Sequence, residues 1–139
     1  MYNNNSSLRV RYAETDQMAV VYYGNYPQYF EVGRVEALRS LGMSYRKMEE
    51  QGLILPVFHL EIKYHKPALY DDNLKILTQI RELPTTRITF HHEIYNESNH
   101  LLTSGSVQLV FVDKTSRRPR RCPADLTERL RGFFKGESE

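Results

Sequence analysis

The sequence predicts an α+β domain in which one long central helix is wrapped by a five-stranded antiparallel sheet. Apolar residues hold helical spacing over one long stretch, Tyr26 to Leu41. After Gly52 the period changes to two, and alternating runs separated by turn residues carry the chain to Asp113. A short apolar run, Leu8 to Tyr12, stands ahead of the helix. A helix with a wide apolar face and strands of this number are satisfied by a curved sheet laid over the helix.

The elements follow in order. Leu8 to Tyr12 is the first strand, and it enters a turn that bears Glu14, Thr15 and Asp16. In the helix, Tyr26, Tyr29, Phe30, Gly33, Ala37, Leu38 and Leu41 share one face. Glu31, Arg34, Glu36 and Arg39 lie off it, with Glu31/Arg34 and Glu36/Arg39 spaced for ion pairs. Pro27 fits the first turn and Gly42 fits the position just past the end. Gly33 costs the helix interior about 1 kcal/mol against alanine, which close approach to another backbone would offset. Ser44 caps a short helix, Tyr45 to Gln51, with Met48 inward and Gly52 ending it. Phe58, Leu60, Ile62 and Tyr64 then alternate with His59, Glu61, Lys63 and His65 until Pro67. Asp71-Asp72-Asn73 turns into Leu74 to Arg81. Leu83 to Thr86 turns into a strand marked by Ile88, Phe90, His92 and Ile94. Asn96 to His100 is a hairpin connection into a long last strand, Leu101 to Asp113, where Gly105 marks a bulge or a close helix contact. These four strands are expected in meander order, and Pro123 to Phe134 closes the chain as a short helix. Pairing a free sheet edge with a second copy would protect it, so at least a dimer is expected.

At 139 residues the chain is most simply one domain, with its core over about residues 8–125. With 19 Lys and Arg against 17 Asp and Glu, the charge balance calls for no nucleic-acid partner. One cysteine, Cys122, excludes an internal disulfide and fits a reducing cytoplasm. The first residues resemble no signal peptide, and no apolar run has the length to span a membrane. The expected location is therefore cytoplasmic.

Chemistry concentrates between Tyr12 and Tyr26. Asp16 stands a few residues before a helix start, whose first N–H groups have no intrahelical acceptor. A carboxylate there can activate water or attack a carbonyl, while backbone donors near Tyr22 and Tyr23 hold the developing oxyanion. Thr15 and Asp16 are also residue types that cap helices. Glu14 is expected to face solvent, and Tyr22, Tyr23, Tyr26, Tyr29 and Phe30 to serve as core and interface aromatics. No metal is expected: His59 and His65 are six apart on one strand, and His91 and His92 point to opposite faces. No nucleophile-elbow motif is present for a Ser/His/Asp triad. The cluster Arg117, Arg118, Arg120 and Arg121 reads either as a solvated turn or, with Thr86 and Arg87, as an anion site.

The block Tyr12-x-x-Thr15-Asp16-x-x-Ala19-Val20-Val21-Tyr22-Tyr23-x-Asn25-Tyr26 resembles the hotdog-fold acyl-CoA thioesterases of the 4-hydroxybenzoyl-CoA thioesterase/YbgC type. Phe30-Glu31-x-x-Arg34, Gly42, Pro67-Ala68-x-Tyr70-Asp71-Asp72, Phe111-Val112-Asp113 and Arg118-Pro119 extend the likeness over residues 8–125. Two positions depart from the pattern. Ala19 stands where the family usually has glycine, and Tyr23 where related members often carry histidine.

The resemblance implies hydrolysis of acyl-CoA with no cofactor, coenzyme A being part of the substrate. Asp16 is the catalytic carboxylate, and Tyr23 joins it through its backbone donor. It further implies that Thr86, Arg87, Arg117 and Arg118 meet the coenzyme A phosphates, often across a subunit boundary in a homodimer or homotetramer. An acyl-acyl carrier protein thioesterase, whose substrate presents the same arm, is one alternative. A non-catalytic acyl-CoA-binding or partner-binding module is the other, since fold alone does not fix activity.

Overall fold

The computed structural model describes residues 1–134. Its order is β1 (Tyr2–Arg9), α1 (Tyr26–Ser40), α2 (Tyr45–Glu50), β2 (Leu53–Ile54), β3 (Val57–Tyr64), β4 (Asn73–Ile80), β5 (Arg87–Tyr95), β6 (Leu101–Val110), β7 (Val112–Asp113) and α3 (Ala124–Arg131). Single 3-10 turns at Tyr12–Glu14 and Tyr23–Asn25 lie between β1 and α1.

Five antiparallel strands form one sheet in the order β1-β4-β5-β6-β3. The strands β4, β5 and β6 are a meander, but β3 pairs with β6 and not with its neighbour in sequence, β4. The expected four-strand meander is thus corrected, because sequential strands pair only as a tendency. Here the β3–β4 connection is taken up by the segment that follows Asp16: the Val21 N–H donates to the Ala68 C=O at 2.8 Å, and Val20 bridges Leu69. The first strand is displaced as well. It runs over the Asn- and Ser-rich residues Tyr2 to Arg9, paired one for one with β4 from Tyr2–Ile80 to Arg9–Asn73, while Tyr12 belongs to a 3-10 turn. Burial of Tyr2 against the Phe133 ring, 4.7 Å away, anchors a strand whose composition gives little β signal. The last expected strand is split at Phe111, whose side chain is fully buried, and its end pairs with β2 in a separate ribbon.

α1 lies across β1, β4 and β5, with Tyr26, Tyr29, Phe30, Ala37 and Leu38 buried. A side chain at Gly33 would have its Cβ 2.5 Å from Thr78 Oγ1 and 2.8 Å from Ile76 Cγ2. The close approach is to side chains of the sheet, not to another backbone. Beneath it, His92 shares a 3.0 Å hydrogen bond between Nδ1 and Thr78 Oγ1 and stacks on Phe30. Burial pushes this imidazole down to about 3, so it is a neutral core residue.

α1 ends as its sequence requires. Gly42 takes φ +77°, its N–H donates to the Arg39 C=O at 2.9 Å, and the Met43 N–H donates to the Leu38 C=O at 2.9 Å. From α3, Arg129 Nη1 donates to the Leu41 C=O at 2.6 Å, placing a cation at the negative end of α1. Ser44 caps α2 by accepting the Lys47 N–H at 3.1 Å. Glu36 and Arg39 form their ion pair, whereas Arg34 donates to the Tyr45 hydroxyl at 3.1 Å instead of pairing with Glu31.

One face of this layout is left open. β3 is an edge strand, and Phe58 (57%), Tyr64 (52%) and Leu60 (41%) are exposed along it. An eight-residue edge with apolar side chains and unpaired backbone groups is a template for another strand.

Candidate functional site

Residues 15–21 fold into a tight hairpin ahead of α1. Thr15 and Val21 bridge, the Asp16 N–H donates to the Val20 C=O at 2.9 Å, and the Ala19 N–H donates to the Asp16 C=O at 3.0 Å. A loop of this length requires left-handed backbone at its last position, and Ala19 supplies it at φ +63°. The glycine-to-alanine departure seen in sequence therefore falls where a Cβ costs about 1 kcal/mol. Ala19→Gly is expected to raise stability by about 1 kcal/mol, measured as a higher urea midpoint at unchanged slope.

Asp16 opens this loop. Its Oδ1 accepts the Met18 N–H at 2.8 Å, a local turn contact that fixes the carboxylate. Its Oδ2 takes no hydrogen bond among the described residues. The capping alternative does not hold. Thr15 Oγ1 donates to the Tyr12 C=O at 2.7 Å, and the cap residue of α1 is Asn25, with no side-chain cap bond.

The carboxylate borders a groove of about 290 Å³. Tyr23, Tyr26 and Tyr64 form one part of its wall, and His65 and Lys66 another. The Tyr64 hydroxyl donates to the Tyr23 C=O at 3.2 Å, and its ring meets those of Tyr23 and Tyr26 edge to face. Tyr26 reaches the other way, its hydroxyl accepting the Ala68 N–H at 3.2 Å. The 3-10 turn Tyr23–Asn25 starts with the Asn25 N–H donating to the Tyr22 C=O at 2.9 Å. The N–H groups of Tyr23 and Gly24 precede that first bond, as at any helix start. Asp16 and the opening of the helix are thus brought together, as the sequence order implied, but the Tyr22 N–H expected as a donor is spent on the Glu14 C=O at 2.9 Å.

Three groove residues escaped the sequence reading in this role. Tyr64 and His65 were visible only as members of an alternating set, and Lys66 was not singled out. Their link to Asp16 is tertiary, made by the pairing of Val20 and Val21 with Leu69 and Ala68. His65 is held by a 2.9 Å hydrogen bond between its Nε2 and Ser104 Oγ. Glu14 is also corrected: its side chain is only 13% exposed and bonds to Arg11 and Tyr29 instead of facing solvent.

The four expected anion-binding residues lie elsewhere in the chain. The Thr86 C=O accepts the Phe111 N–H at 3.0 Å, and the Arg87 guanidinium lies 4.1 Å from the centre of the Phe58 ring. Arg117, at φ +62°, and Arg118 close the turn after β7, where the Asp113 N–H donates to the Arg118 C=O at 2.9 Å. Pro119 bridges Val112, and the Arg120 N–H donates to the Phe111 C=O at 2.8 Å. Thr86, Arg87, Arg117 and Arg118 therefore gather at the end of the sheet where β3 begins. The groove sits where β3 ends, roughly 25 Å away for a strand of eight residues.

A family model described as thioesterase-like superfamily matches residues 10–130. YneP of Bacillus subtilis is 35% identical over 119 residues, covering 86% of each chain. The acyl-CoA thioester hydrolase YbgC of Escherichia coli O6:H1 is 33% identical over 119 residues, covering 86% of this chain and 89% of its own. Among solved structures, a DHNA-CoA thioesterase from Staphylococcus aureus superposes with a TM-score of 0.93 at 34% identity, covering 100% of this chain and 97% of its own.

Proposed function

The chain belongs to the thioesterase-like superfamily and has its hotdog fold, and on that premise we propose that it hydrolyses acyl-CoA thioesters with Asp16 as the catalytic carboxylate. The observation that carries the reading is the free Oδ2 of Asp16 on a groove that also holds the start of the helix. Thioester hydrolysis suits so sparse a site, because a thiol of pKa near 8.5 leaves readily as thiolate. Asp16 accepts a proton from water as the water oxygen bonds to the acyl carbon, or attacks that carbon itself to give a mixed anhydride that water then opens. The N–H groups of Tyr23 and Gly24 receive the charge that builds on the carbonyl oxygen. The C–S bond breaks, the thiolate takes up a proton, and free acid and coenzyme A leave. The three tyrosines suit a flat acyl group, in keeping with the substrate for which the Staphylococcus aureus relative is named.

The phosphates of coenzyme A are met by Thr86, Arg87, Arg117 and Arg118 of a second copy. The exposed apolar edge of β3 supports antiparallel pairing with its own copy across a two-fold axis. Such pairing lays the beginning of one β3 beside the end of the other, so the basic end of one chain comes to the groove of its partner. The site is then composite, and mixing tests it. Asp16→Asn and the double variant Arg117→Ala/Arg118→Ala, co-expressed, form a mixed dimer. One of its two sites then has an intact Asp16 and intact partner arginines. A composite site predicts recovery of turnover with the parental KM, whereas arginines acting within their own chain predict no site with that KM. Acyl carrier protein thioesters assayed beside acyl-CoA should turn over more slowly if the arginines read the nucleotide. Absence of thiol release from short, long and aromatic acyl-CoAs alike would favour a binding module.

A further inference from the structure

We propose that Glu14 is a positioning residue that sets the register between the Asp16 hairpin and the helix start; the proposal rests on the reading of Asp16 given above. Asp16 and the N–H groups of Tyr23 and Gly24 sit on two different segments. The covalent path between them runs round a hairpin tip whose backbone is strained at Ala19. Something at the base of the hairpin has to hold the two segments together, and Glu14 does so with both its main chain and its side chain. Its C=O accepts the Tyr22 N–H at 2.9 Å and Asn25 Nδ2 at 2.9 Å, the residues on either side of the Tyr23 and Gly24 donors. Its Oε1 accepts the Arg11 N–H at 2.9 Å and the Tyr29 hydroxyl at 2.9 Å, and its Oε2 accepts Arg11 Nε at 3.2 Å. One residue thereby fastens the exit of β1, the turn before the donors and the first turns of α1.

A carboxylate in so enclosed a position is costly unless its oxygens are satisfied. Burial raises its pKa, and the bonds from the Arg11 N–H, the Tyr29 hydroxyl and the Arg11 guanidinium outweigh that effect, holding it below the ordinary range. Burial and the carboxylate in turn push the Tyr29 phenol up, so it stays a donor. Were the task only to fill space, an apolar side chain would do it as well. What a charged acceptor adds is direction, since its bonds hold three segments at fixed distances. Displacement of a reacting group by about 1 Å costs on the order of 100-fold in rate.

The test compares Glu14→Ala, Tyr29→Phe, their double variant and Glu14→Gln with the parent, by kcat and KM on one acyl-CoA and by thermal melting. Asp16→Asn is assayed in parallel. Glu14→Ala and Tyr29→Phe are each expected to lower kcat roughly 10- to 100-fold with little change in KM. The double variant is expected to be no worse than the worse single one, because the two share one bond. Glu14→Gln, which keeps an acceptor for Arg11, is expected to recover most of the loss. Folded variants that melt earlier yet keep parental kcat would overturn the proposal and leave Glu14 a stabilising residue only. If Glu14→Ala does not fold, Tyr29→Phe decides alone, since it removes a single hydroxyl. Should Asp16→Asn keep its turnover, the reading of the site itself falls. Should Asp16→Asn be dead while Glu14 and Tyr29 variants stay active, only the positioning role falls.

Discussion

Asp16→Asn is expected to lower kcat by about 1,000-fold while leaving the fold and KM close to the parent's. The substitution is nearly isosteric, and the asparagine Oδ1 can still accept the Met18 N–H that fixes the side chain at 2.8 Å. The hairpin then keeps its Asp16–Val20 and Ala19–Asp16 backbone bonds. What is lost is the free carboxylate oxygen, and an amide in its place is neither a useful base nor a nucleophile. An unchanged melting curve with thiol release within tenfold of the parent would remove Asp16 from the chemistry. Turnover in heavy-oxygen water identifies the covalent route: label enters the Asp16 carboxylate only when a mixed anhydride is opened at the aspartyl carbon, whereas general-base hydrolysis puts the label in the product acid alone.

Much of this arrangement was legible from local chemistry. α1 and its end were written in the spacing of Tyr26, Tyr29, Phe30, Ala37 and Leu38 and in Gly42, because helix faces and end motifs depend on residues close in sequence. The pairing of Asp16 with a helix start was legible for the same reason. The order of strands was not, since nothing local tells β3 to cross to β6 instead of turning back on β4. β1 was misplaced because Asn3, Asn4, Asn5, Ser6 and Ser7 carry almost no strand propensity and are held by pairing with β4. The presence of Tyr64, His65 and Lys66 in the groove follows from that crossing and shares its invisibility. Glu14 was misread because a glutamate in a turn is ordinarily solvated. Only the fold shows that Arg11 and Tyr29 converge on it.

Gly105→Ala is expected to destabilise the protein by about 3 kcal/mol, near the upper end of the usual cost of overpacking. Gly105 lies at the centre of the sheet, opposite Ile62 on β3 and His92 on β5. The Cβ of an alanine there would overlap the Glu61 carbonyl oxygen and stand 2.9 Å from Phe30 Cε2. Neither neighbour yields easily. The carbonyl belongs to the β3–β6 ladder, and Phe30 is fully buried beneath the sheet. The sequence left a choice between a bulge and a close helix contact. The ladder runs through Gly105 without a register shift, so the helix contact is the one present. Gly52→Ala is the comparison that isolates the cause. Gly52 has φ +80° with open space around it, so alanine there meets backbone strain alone and costs about 1 kcal/mol. A melting temperature lowered by roughly 10 °C for Gly105→Ala and by a few degrees for Gly52→Ala would separate crowding from conformation. Equal shifts would mean that β3 moves aside freely. In the predicted case β3 is pried from β6, and Tyr64 at its end shifts with it. The Tyr64 hydroxyl bond to the Tyr23 C=O then loosens, so folded Gly105→Ala protein is also expected to have a raised KM.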